Sequence, residues 1–268
     1  DDINKKRANA NKLLVRFLWE QSEKTDLRLC DIQAGGLHNA IPREAHATVA
    51  VPTAYVATFG EELQAFVEKV RDEFSATEPE LTAVIEPVAA APTCICKEQA
   101  ERLLKSLSVV HNGIFAMSQD LEGLVETSSN LASVRKHGNQ IVATTSQRSS
   151  VASNLEYMAS VVRSAFELGG AKCVTNEGYP GWKMNPKSEI LKVCVESYKR
   201  LFGKEPLVRA IHAGLECGLF SEKYPNLDMV SFGPTLRGVH SPDERLLIPT
   251  VQMVWDHLLD VLKNVPEK

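Results

Sequence analysis

Two β-prone runs, residues 124–135 and 140–146, flank Lys136-His137-Gly138-Asn139. A Gly-Asn tip between such runs signals a hairpin, because a tight reversal needs positive φ and glycine supplies it without strain. An antiparallel hairpin has a face that must be covered, and the surrounding sequence offers helices to cover it. Residues 7–22 carry Leu13, Leu14, Phe17 and Leu18 at helical spacing, and residues 54–75 carry Leu63, Phe66, Val67 and Val70. Residues 97–110 place Ala100, Leu103, Leu104 and Leu107 on one face, and residues 151–168 read as a fourth helix closed by Gly169-Gly170. Further strands are predicted at 27–33, 45–51 and 81–90, with a bend or bulge at Ala34-Gly35-Gly36 and an edge position implied by Pro87. The first 170 residues therefore read as α+β, helices packed on a mainly antiparallel sheet.

The pattern changes near Ala171. Short strands at 171–177, 207–211 and 228–232 alternate with helices at 189–202 and 216–224, and a closing helix spans 249–262. Such alternation predicts parallel pairing and an α/β arrangement. The expected division is thus 1–170 and 171–268. Hydrophobic residues make up 44% of the 268, enough for a sizeable core. The net charge of −4, from 30 basic and 34 acidic residues, gives no reason to invoke nucleic acid or an anionic membrane. No apolar run approaches the ~20 residues of a membrane span. The opening Asp1-Asp2-Ile3-Asn4-Lys5-Lys6-Arg7 reads as no secretory signal, and the six scattered cysteines read as buried, reduced thiols of a cytoplasmic protein.

Four places carry residues suited to chemistry. His240 lies in a loop after the 228–232 run, between Gly238 and Ser241, with Pro242-Asp243-Glu244 read as the start of the next helix. It reads either as a loop hydrogen-bonder or as a metal ligand, with Glu244 available to orient its ring. Asn39 follows a Gly-Gly bend, and its amide either caps a turn or donates to a carbonyl oxygen that gains charge during reaction. Arg148 ends a strand; it serves either a surface ion pair or bidentate capture of a carboxylate. In Gly214-Leu215-Glu216 the glycine allows close backbone approach, and Glu216 can bind a substrate amine or support a metal shell.

The segments Gly178-Tyr179-Pro180-Gly181-Trp182, Ile211-His212-Ala213-Gly214-Leu215-Glu216-Cys217-Gly218-Leu219-Phe220 and Ser231-Phe232-Gly233-Pro234-Thr235-Leu236-Arg237-Gly238-Val239-His240, in this order, resemble the aminoacyl-histidine dipeptidases. Asn9-Ala10-Asn11-Lys12-Leu13-Leu14 and Leu37-His38-Asn39-Ala40-Ile41-Pro42-Arg43-Glu44-Ala45 extend the resemblance toward the start of the chain. These enzymes form a family of the two-zinc aminoacylase/carboxypeptidase superfamily. The resemblance implies that His240 ligates one zinc of a pair, whose bridging water attacks the peptide bond of an Xaa-His-type dipeptide. It implies substrate contacts from Asn39 and Arg148, the latter to the free C-terminal carboxylate. It also implies a lid that serves as the platform of a homodimer, in residues 1–170, followed by the C-terminal part of the catalytic domain. The family's His-x-Asp motif, bridging Asp and Glu-Glu pair have no counterpart here, so no catalytic base is assigned. On this reading the chain is a C-terminal part that is inactive alone. Two alternatives stand beside it: a non-catalytic binding or dimerisation module, and a cysteine hydrolase using Cys217 near His212 or His240.

Overall fold

The computed structural model describes residues 3–89, 93–119, 122–176, 178, 180–182, 185, 187–209, 216–239 and 243–265. The chain divides into two compact units, Asp1–Glu177 and Gly178–Lys268.

In the first unit the helix α1 (Ala10–Ser22) begins three residues later than its periodicity suggests, because the Asn9 side chain accepts from the amides of Asn11 and Lys12 and caps it. The strands β1 (Arg28–Gly35) and β2 (Ala45–Ala50) follow, antiparallel to one another. A single 3₁₀ turn leads into α2 (Val56–Glu73), and α3 (Lys97–Val109) comes after a long crossover. Then come β3 (Gly113–Met117), β4 (Val125–His137), β5 (Gln140–Ser149) and α4 (Ala152–Leu168). The hairpin is present as expected: His137 pairs with Gln140 across a tip where Gly138 has φ of 58°. The sheet order is β2-β1-β4-β3, with β5 on β4 and every pairing antiparallel.

The core collects Val15 and Leu18 of α1, Leu63 and Val70 of α2, Leu104 and Leu107 of α3, and Met158 of α4 over Leu29, Ile32, Leu131 and Val134 of the sheet. Phe17 packs at 5.3 Å from both Phe59 and Phe66, a tilted geometry that aromatic quadrupoles favour. Lys12 joins α1 to the end of α3, its ammonium donating to the carbonyls of Leu107, Ser108 and Val110 at 2.7, 2.8 and 3.0 Å. Burial pulls the Lys12 pKa down to about 8.

On the edge of β4 opposite β5, one stretch is held by side chains instead of a strand. β3 pairs with β4 through Ser129, and β1 pairs with it from Ser133 onward. Between them, Leu131 O accepts from the side-chain amides of Asn9 and Asn11, each at 3.1 Å, and Leu131 N donates to Asn112 Oδ1 at 2.9 Å. Gly36 N donates to Ala132 O at 3.2 Å. Gly35 has φ of 69°, and a Cβ there would lie 2.1 Å from Ala132 O. Only glycine therefore lets β1 bend here and close on β4.

The second unit holds α5 (Glu189–Phe202), α6 (Glu216–Lys223), the two-residue strands β6 (Leu236–Arg237) and β7 (Arg245–Leu246), and α7 (Pro249–Asn264). α5 and α7 pack through His257, whose Nε2 donates to Cys194 O at 2.9 Å and whose ring meets Tyr198 and Phe232 at 5.5 and 4.8 Å. An Arg200–Asp260 ion pair joins the same two helices. Asp228 caps α5 from outside it, accepting from Glu189 N and Ile190 N at 2.7 and 3.0 Å. Burial opposes its charge, but the Ser188 hydroxyl and the amides of Ile190, Glu189 and Met229 outweigh that and hold the carboxyl below its usual range.

The α+β class and antiparallel sheet match the sequence reading. Several strands do not. Residues 81–89, 171–176, 207–209 and 228–232 contain no strand. They are β-prone, but a strand requires a ladder partner, and none of these segments finds one among the described residues. The parallel pairing expected after residue 171 is accordingly absent among the described residues, where only β6 and β7 pair, antiparallel. β3 escaped notice because it is short. Asp243-Glu244 does not open a helix: the ladder takes Arg245-Leu246, and α7 starts later with Pro249 in its first turn, where the missing N–H costs nothing. Cys30 and Cys94 form a disulfide, contrary to the expectation of scattered thiols; 64 positions of sequence separate them.

Two outcomes check this description. Asn9→Ala is expected to destabilise the first unit by about 2–4 kcal/mol in urea unfolding, the sum of a lost cap and unpaired buried polar groups. Asn9→Asp keeps the cap but turns an anion toward Leu131 O, so it should cost at least as much. For Asp228, the folded pKa lies below the unfolded one, so its contribution is complete above the ordinary 3.8 and is lost as pH falls through the folded value. Asp228→Asn should therefore flatten the acid limb of the stability–pH curve, read by urea unfolding between neutral pH and about pH 3.

Candidate functional site

Arg148 stands near the end of β5, opposite Ser128 of β4. Asn130 lies two residues along β4, opposite Ser146. Alternation along both strands puts Arg148, Ser128, Ser146 and Asn130 on one face of the hairpin. The intervening residues show the other face at work: Thr127 bonds Ser149 at 2.8 Å, and Gln147 donates to Ser129 Oγ at 3.1 Å.

The Leu37–Ala40 turn is bound to that first face. Ala40 N donates to Leu37 O at 3.3 Å, and Asn130 Nδ2 donates to Ala40 O at 2.8 Å. Asn130 Oδ1 in turn accepts from Asn9 Nδ2 at 3.2 Å, and Ala10 N donates to Pro42 O at 3.0 Å. Asn39, half-buried, therefore sits in a turn anchored to the strand face that carries Arg148. Sequence reasoning had singled out both residues separately; the structure brings their two segments together.

Arg148 is half-buried, and burial lowers its pKa with no nearby carboxylate to restore it. Among the described residues it has no ion-pair partner. A guanidinium removed from water without a counter-ion is costly to hold. Its planar fork matches a carboxylate bidentately.

The remaining candidates belong to the second unit. His240 and Gly214 lie outside the described residues, as does His212. The stems of the His240 loop are described: Leu236 pairs with Leu246, Arg237 with Arg245, and Leu247 N donates to Thr235 O at 2.9 Å. Glu216 is exposed in the first turn of α6. Gly218 seats α6 against Pro180, since a Cβ there would lie 2.2 Å from Pro180 O. Cys217 and Cys194 are both pushed above the ordinary thiol pKa by burial first of all, which removes the activation a nucleophile needs. Among the described residues no three His, Cys, Asp or Glu side chains converge to hold a metal ion.

A family model described as a peptidase dimerisation domain matches residues 3–81. Cytosol non-specific dipeptidase of Escherichia coli (strain K12) is 40% identical over 260 residues, covering 97% of this chain and 54% of that protein. The resemblance to the aminoacyl-histidine dipeptidases holds along the whole chain. The crystal structure of aminoacylhistidine dipeptidase from Vibrio alginolyticus matches it with a TM-score of 0.87 at 39% identity, over 100% of this chain and 55% of that one. The chain spans about half the length of these relatives. No helix among the described residues is long and apolar enough to cross a membrane.

Sequence reasoning missed Asn130 and Asn112. An Asn inside a strand pattern carries no functional signal by itself; only the strand pairing shows where its amide is sent. If Arg148 is retained for binding and not for stability, Arg148→Met should leave the urea midpoint unchanged or raise it. A loss above about 1 kcal/mol would mark it as a residue that stabilises the fold instead.

Proposed function

We propose that the chain is the lid and dimerisation domain, residues 1–170, together with the C-terminal part of the catalytic domain, residues 171–268, of a metal-dependent cytoplasmic dipeptidase. The observation that carries this reading is the match to two dipeptidases at about 40% identity over essentially the whole chain. Its substrates are dipeptides, Xaa-His among them, as the names of those relatives indicate.

In this reading Arg148 clasps the free C-terminal carboxylate, and Asn39 donates its amide to the scissile carbonyl as negative charge grows there. Glu216, beside Gly214, meets the amino end or supports the metal shell. His240 holds one of two zinc ions, and the other ligands and the general base come from the half of the relatives' length that this chain does not span. When bound, the metal pair supplies an acidified water. Beside His240, the chain's own contribution is to bind, orient and enclose the dipeptide. Residues 3–81 give the platform of a homodimer.

The second unit supports the same reading. Among its described residues Cys194 and Val261 are the buried hydrophobic ones. Ile248, Val251, Trp255, Leu259 and Leu262 remain exposed along α7, Trp255 at 55% and Ile248 at 78%. Surface of that kind is completed by further polypeptide. A second reading, a non-catalytic dimerisation module, is supported by the match of residues 3–81 to a peptidase dimerisation domain.

Metal analysis coupled to an Xaa-His hydrolysis assay separates the two. The 268-residue chain should be inactive, whereas a chain extended to the relatives' full length should hold two zinc ions and turn over. An extended chain that stays metal-free and inactive would leave only the module.

A further inference from the structure

The amide of Asn130 does two things at once. Its Nδ2 donates to Ala40 O at 2.8 Å, and its Oδ1 accepts from Asn9 Nδ2 at 3.2 Å. It therefore links the turn that carries Asn39 to the cap of α1. It also stands on β4 diagonally across from Arg148, since Ser128 is the residue opposite Arg148 and Asn130 is two positions further along. Diagonal neighbours of this kind lie about 7–8 Å apart between Cα atoms, within reach of long side chains.

The amide's direction is itself determined. Asn9 Nδ2 faces three acceptors, Asn112 Oδ1, Asn130 Oδ1 and Leu131 O, at 2.9, 3.2 and 3.1 Å. A donor on Asn9 requires an acceptor from Asn130 on that side, which turns Nδ2 of Asn130 toward Ala40. Rotating Asn130 by half a turn would place NH₂ against NH₂ and oxygen against the Ala40 carbonyl. The network admits one orientation.

We propose that Asn130 is a positioning residue of the carboxylate-binding site: it sets the distance between the Asn39 turn and Arg148, and so the length of dipeptide the pair can span. This rests on the assignment of Arg148 and Asn39 to substrate. Asn130 needs no contact with the ligand itself. Loosening it lets the turn drift from the sheet while Arg148 keeps its place on β5.

The test is calorimetric binding to the 268-residue chain, using Ala-His as the free acid and as its C-terminal amide. Wild type should prefer the acid, and Arg148→Met should abolish that preference. Asn130→Ser should weaken the acid about tenfold, as should Asn39→Ala, and the double variant should be no weaker than either alone. Asn130→Asp, which keeps the acceptor for Asn9 and loses the donor to Ala40, guards against a variant that fails to fold and should match Asn130→Ser. Factors that multiply in the double variant, or an Asn130 change without effect while Arg148→Met abolishes the preference, overturn the role of Asn130 alone. A wild-type chain that binds acid and amide alike, or an Arg148→Met variant that keeps its preference, overturns the clasp and the role with it.

Discussion

The first unit depends on a short row of amides. On the edge of β4 opposite β5, where β4 leaves β3 and has not yet met β1, Asn9, Asn11 and Asn112 supply the bonds a second strand would have made. Buried polar groups are tolerated when they are paired, and one arrangement of the amides pairs all of this seam's buried side-chain groups except Asn11 Oδ1, which is left without a partner. That arrangement has consequences in two directions. It starts α1 at Ala10, and through Asn130 it fastens the Leu37–Ala40 turn to the sheet. A structural necessity, closing a gap in a sheet, thereby becomes a means of placing a candidate substrate-binding group.

The two units differ in how they are held. The first has helices on a sheet around a continuous core. The second is organised by local devices: an external aspartate on the N-terminus of α5, a histidine between two helices, an ion pair and a two-residue ladder. Each contributes about 1 kcal/mol, and exposed ion pairs less. Among the unit's described residues, Cys194 and Val261 are the buried apolar side chains, so these local devices do most of the holding there. Along α7, Val251, Trp255, Leu259 and Leu262 stay exposed.

Much of this could be read directly from residues. Helical spacing located α2, α3, α4 and α5 within a residue or two, because their apolar faces all pack and the period survives. The Gly-Asn tip located the β4–β5 hairpin. What failed was the conversion of β-prone composition into strands, as in residues 81–89 and 228–232, since pairing depends on a partner elsewhere in the chain. That the segments of Arg148 and Asn39 meet one face of the hairpin was not legible; it follows from the register of β4 against β5 and from the Asn130 bond to Ala40, neither of which has a sequence signature. The Cys30–Cys94 pairing was hidden for the same reason.

The central claim is that this face of the hairpin receives the carboxylate end of a dipeptide. The most direct measurement is a titration of the ¹⁵N-labelled chain with Ala-His, followed by NMR. The Arg148 side-chain Nε–H and the Asn39 amide should shift together, saturably, with the amidated dipeptide leaving both unmoved. Saturable shifts elsewhere, with Arg148 and Asn39 silent, would contradict it.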